Sequence, residues 1–95
     1  MITPYQVLRA AEAVTSKPAR IITGRSRKFS VAATRDACIL IVHENTRMSD
    51  GEIARIFNRS RSAVSYAVNR ATDRLTLCDQ FRAIYESINN HIKPE

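Results

Sequence analysis

A chain of 95 residues supports one modest core, because a domain of this size buries only roughly 60 to 68% of the surface its unfolded form exposes. Lys and Arg number 15 against 9 Asp and Glu, a net charge of +6, and 12 of the 15 cations are Arg, whose rigid fork of donors suits phosphates and guanine edges. No apolar run reaches the roughly 20 residues that a membrane span needs, so the leading partner by charge is nucleic acid, with a merely solvated basic surface as the plain alternative.

Two Gly and three Pro interrupt the chain, and nowhere does the strict apolar alternation of half-buried strands occur. The expectation is a single all-α domain over residues 1–95, a compact bundle of about six helices. The first residues lack the charged start and apolar stretch of a signal peptide, so a soluble protein of the cytoplasm is expected, nucleoid-associated if it binds DNA. Thr3 followed by Pro4 predicts a helix start, and Val7, Leu8, Ala11 and Val14 give the buried face of a first helix, with Arg9 and Glu12 toward solvent. Ser16 and Pro18 repeat the start signal for a short second helix, Pro18 to about Thr23, closed by Gly24. The basic loop "GRSRKFS" follows, and Ser30 is expected to cap a third helix over 31–45. Its apolar run Ala37 to Val42 could also be a buried strand, since periodicity cannot decide so short a run. Length and flanks favour a helix, with Thr34, Arg35, Asp36, His43 and Glu44 on one side.

From Ser49 the sequence reads S-x-x-E with Glu52, a capping box. Ile53, Ala54, Ile56 and Phe57 supply the buried face of a fourth helix, which Asn58 ends in the left-handed conformation. Ser60 caps a fifth helix, apolar at Val64, Ala67, Val68, Ala71 and Leu75, ending near Arg74. Thr76 and Asp79 predict the start of a sixth, apolar at Leu77, Phe81, Ile84, Tyr85, Ile88 and Ile92, fraying near Pro94. Helices four and five form a helix-turn-helix over about 49–75: Ala54 is the small residue where the helices cross, Asn58 tolerates positive φ in the turn, and Val64 plugs the angle. The opposite face of helix five carries Arg61, Ser62, Ser65 and Asn69, with Tyr66 and Arg70 at its borders, and no carboxylate until Asp73. Short hydroxyls permit close approach to a major groove, and Arg and Asn offer bidentate partners to guanine and adenine. A polar solvent face on an ordinary bundle helix is the bland alternative.

The segments "RSRKFSVAATRDACILIVHENTRMSDGEIARIF" and "NRSRSAVSYAVNRA", from Arg25 to about Leu75, resemble the C-terminal DNA-binding domain, domain IV, of the DnaA family of bacterial chromosomal replication initiators. The shared pattern is a basic loop, a long helix, S-x-x-E-I with an apolar pair, a turn and a recognition helix. The resemblance implies a sequence-specific reader of double-stranded DNA. Its recognition helix would place Arg61, Ser62, Ser65, Asn69 and Tyr66 in the major groove, and its loop would place Arg27, with Arg25 beside it, in the adjacent minor groove. Arg35 and Arg59 match the family's phosphate-holding arginines, and Lys28, Ser60 and Arg70 join them as phosphate contacts. Where the family has Asp-His-Thr-Thr this chain has Ser60, Arg61, Ser62 and Ala63, so the architecture is expected to transfer and the family's target sequence is not. No G-x-x-x-x-G-K-[ST] phosphate loop occurs, which excludes ATP-dependent origin melting by this chain alone.

Helices four and five also resemble the promoter-reading region of sigma factors through "EIA" at Glu52 to Ala54 and "RA" at Arg70 to Ala71. A module that docks on a replication or transcription protein is the reading from another class. An enzyme is not expected: nothing pairs His43 or His91 with Cys38 or Cys78 as an activated nucleophile. The cysteines lack zinc spacing and read as reduced, packed thiols, so no metal or cofactor is expected. The role in view is regulation of replication initiation or of transcription.

Overall fold

The computed structural model describes residues 2–92, so the fraying expected near Pro94 lies outside the described residues. Six helices and no strand form among them: α1 Pro4–Thr15, α2 Ala19–Ile22, α3 Phe29–Asn45, α4 Asp50–Phe57, α5 Arg61–Leu77 and α6 Asp79–His91. The all-α bundle read from the sequence is the observed fold.

Local chemistry sets most of the boundaries. Thr3 caps α1, its hydroxyl accepting from the Gln6 amide while the Gln6 side chain accepts from the Thr3 amide, and Ser49 and Glu52 do the same for α4. The Ser49 backbone amide, and after it the Ser49 side chain, holds the Glu52 carboxyl below its ordinary range. Three expected caps are corrected. Ser16 takes the left-handed conformation (φ 60°) that ends α1, and α2 instead receives its cap from Glu12, whose carboxylate accepts from the Ala19 amide at 2.7 Å. Glu12 therefore serves a neighbouring helix rather than solvent alone. Ser30 lies inside α3, which opens two residues earlier than expected. Cys78, not Thr76, caps α6, its sulfur accepting from the Phe81 amide at 3.4 Å; α5 consequently runs on to Leu77, which is 82% exposed instead of joining the core.

The centre of the molecule is α3, packed by all five other helices. It is a helix as expected, but the polar residues placed on one side do not form an outer face: Thr34, Arg35 and Asp36 are buried along with the unbroken run from Ala37 to Val42, and of those five only His43 and Glu44 reach solvent. A helix surrounded on every side has no need of an amphipathic pattern. Each buried polar group has a partner. Thr34 donates to the Ser30 carbonyl, Arg35 donates to backbone carbonyls and Asp36 accepts from Arg70, which is what keeps such burial from costing stability. Phe57, Phe81, Ile53, Ile88 and Val64 close the core around this helix.

Candidate nucleic-acid interface

The turn between α4 and α5 is built as the helix-turn-helix spacing requires. Ala54 and Val64 both sit in the core that α4 and α5 share, and Asn58 adopts φ 54°, ψ 46°, the left-handed conformation an Asn tolerates. The Arg59 amide donates to the Ala54 carbonyl at 2.9 Å, closing the end of α4. Ser60 then opens α5, its hydroxyl accepting from the Ala63 amide at 3.1 Å.

With Val64, Ala67 and Ala71 turned inward, helical geometry puts Arg61, Ser62, Ser65, Tyr66 and Asn69 outside, and all five are exposed. Ser62, Ser65, Tyr66 and Asn69 line one shallow depression, with Tyr66 standing 70% exposed at its edge. The ridge is open: neither α6 nor any other described segment covers it. The Arg61 stem lies over the first turn of α4, where a Cβ added at Gly51 would meet its Cδ and Cγ at 3.5 and 3.6 Å.

Beside the start of α5 a second concavity, of about 530 Å³, is lined by Arg25, Ser26, Arg27, Arg35, Asn58, Arg59, Ser60 and Ala63. The structure thus brings the basic loop against the entry of α5, with Lys28 exposed at the loop's end. Two of the arginines expected at phosphates have partners within the protein. Arg35 is 7% exposed, and its Nε and Nη2 donate to the Ile22 and Ser26 carbonyls at 2.7 and 3.0 Å. Burial, and after it the nearby charge of Arg59, lowers its pKa. Arg70 is turned to Asp36 in a two-pronged ion pair, Nε to Oδ2 at 2.9 Å and Nη2 to Oδ1 at 3.0 Å, and these bonds raise its pKa. Both guanidiniums hold the protein together. Arg59 stays half-buried at the concavity and donates to the Phe57, Asn58 and Gly24 carbonyls.

Asp36 was not foreseen. It is the buried acceptor for Arg70 and has Arg74 at 3.6 Å; an acid set directly before the apolar run from Ala37 to Val42 was the available signal. The Asn58 amide bonding the Thr23 carbonyl at 3.4 Å had no sequence signal, because the two residues lie 35 positions apart.

Comparison with known proteins agrees with this architecture. The Chromosomal replication initiator protein DnaA of Nautilia profundicola is 33% identical over 78 residues, covering 81% of this chain. The proteins of the same name from two strains of Leptospira biflexa serovar Patoc are each 25% identical over 71 residues, covering 75% of it. The chain resembles a fragment of DnaA. It spans 16 to 18% of the length of these DnaA relatives, and no protein-family model matches it.

Proposed function

We propose that this chain is a DnaA domain IV-like DNA-binding domain, one unit over 1–95, that reads double-stranded DNA through two adjacent grooves. The observation that carries the reading is the open ridge of Arg61, Ser62, Ser65 and Asn69, free of carboxylates and continuous with the basic concavity at its N-terminal end. In this reading α5 lies in the major groove, with those four residues and Tyr66 nearest the bases, while Arg25 and Arg27 enter the neighbouring minor groove. Lys28, Arg59 and Ser60 hold phosphates, helped by the first-turn amides of α5, where the helix dipole favours an anion. Phosphate contacts fix position and base contacts fix sequence. The role is non-catalytic, in the cytoplasm at the nucleoid, in regulating replication initiation or transcription. Because Ser60 to Ala63 replace the family's Asp-His-Thr-Thr, the target differs from the family's own.

Selection from a random duplex pool, followed by salt titration on the selected site, tests this. Affinity should fall with salt at a log-log slope of about 0.9 per phosphate contact. A flat salt response with no enriched sequence refutes the DNA reading and leaves docking onto a protein. On the selected site, Arg61→Ala should cost about 1 to 3 kcal/mol and relax preference at one position.

A further inference from the structure

The loop after α2 has no regular structure, so its carbonyls need donors from elsewhere. Three of them, and the last carbonyl of α2, find such donors on just three side chains. Arg35 of α3 holds the Ile22 and Ser26 carbonyls at 2.7 and 3.0 Å, Asn58 holds Thr23 at 3.4 Å, and Arg59 holds Gly24. The Arg59 guanidinium also donates at 3.1 Å to the Phe57 and Asn58 carbonyls, so one planar fork spans the end of α4 and the loop. Gly24 itself has no room to change: a Cβ there would stand 2.9 Å from the Arg20 carbonyl oxygen, a backbone atom that cannot swing aside.

Resting on the two-groove reading above, we infer that Asn58, Arg59 and Arg35 are positioning residues that lock the basic loop to the entry of α5, so that the protein measures the spacing between its minor-groove and major-groove contacts. A loop free to slide would accept an A·T-rich step at several distances from the major-groove site. A locked loop accepts one, because a shift of one base pair displaces the step by about 3.4 Å along the duplex, beyond what these bonds permit. Arginine is required at position 59 for geometric reasons. Lysine would keep the charge for a phosphate but lacks the planar fork that reaches carbonyls on two segments.

The test uses duplexes carrying the selected site with its A·T-rich step moved by one or two base pairs, and the wild type, Asn58→Gly and Arg59→Lys. Glycine keeps the positive φ available at 58 and removes only the amide donor, so this variant retains the fold. The wild type should lose about tenfold in affinity on a one-base-pair shift. Asn58→Gly and Arg59→Lys should each reduce that loss to about threefold or less, and the double variant should accept both spacings alike. In DNA-free protein, amide hydrogen exchange of residues 25–28 should quicken in both variants while the core amides stay protected. Unchanged spacing discrimination, or an unchanged loop exchange rate, overturns the lock. If instead the wild type binds no duplex, the DNA reading and the spacing claim fall together, and the exchange rates still decide whether these side chains hold the loop.

Discussion

Asp36 shows how far a residue's role depends on what folds against it. Its side chain is 4% exposed, while those of its partners Arg70 and Arg74 are 47% and 36% exposed, so the two sides of the ion pair are not equally replaceable. Arg70→Ala leaves a buried carboxylate with only the 3.6 Å contact to Arg74 and should cost about 2 kcal/mol, reduced from the value for a fully buried pair because Arg70 is half in solvent. Asp36→Asn lets both arginines turn outward and should cost about 1 kcal/mol. Denaturant unfolding of the two variants checks the order, and equal losses would show that burial of the carboxylate is not what matters. At position 58 the backbone decides: Asn58→Ala places a β-carbon at φ 54° and should cost about 1 kcal/mol or more, against little for Asn58→Gly. The sequence identified Asn58 as a turn residue because the motif spacing requires one there. It could not tell that Arg35 and Arg59 spend their guanidiniums on backbone carbonyls and Arg70 its own on Asp36, because the Ile22 and Gly24 carbonyls and the Asp36 carboxylate lie 13 to 35 positions away.

Elements were legible where their signals are local. The Thr3 cap of α1, the capping box of α4, the Ser60 cap and the left-handed Asn58 involve residues within one turn, so spacing alone reveals the kind of signal concerned. Ser16, Ser30 and Thr76 carry the same residue types without the role, since Glu12, the earlier entry of α3 and the Cys78 sulfur satisfy those helix ends instead. The end of α5 is a further case: Arg82 donates to the Leu75 carbonyl at 3.0 Å from the next helix, which lets α5 run past its expected limit. Element scale is also where packing is felt most. Because α3 is enclosed on all sides, Ile41→Ala, at a residue fully buried, should cost about 2 to 5 kcal/mol, whereas Ser49→Ala, which removes one exposed cap, should cost about 1 kcal/mol. Thermal or chemical unfolding separates the two, and a loss at Ile41 as small as that at Ser49 would mean α3 is not the centre of the core.

For the whole molecule, pH tests the core as a unit. Burial pushes the Cys38 thiol up to about 12, and burial with the hydrogen bond to Glu44 pushes the Tyr85 hydroxyl to about 12, its O–H donating to the Glu44 carboxylate at 2.5 Å. Both folded values lie above the unfolded ones, so their stability is fully present below the unfolded thiol value of about 8.5 and is lost as pH rises toward 12. The thiol alone should remove about 1.4 kcal/mol per pH unit over that window. Unfolding curves from pH 8 to 11 should steepen accordingly, Cys38→Ala should flatten the decline, and a thiol reagent should reach Cys38 only through unfolding. A decline equally steep without the thiol would place its origin elsewhere. What the sequence determined by itself was the helical class, the helix-turn-helix and the outward ridge of α5, because cap chemistry, turn chemistry and the 3.6-residue period act over a few positions and need no partner. What only the tertiary structure decided was that α3 is central, that Asp36 receives Arg70, and that the basic loop is fastened to the turn. Those follow from contacts between residues 9 to 35 positions apart, where no local rule operates and a side chain's role is set by which backbone carbonyl or carboxylate the fold brings within its reach.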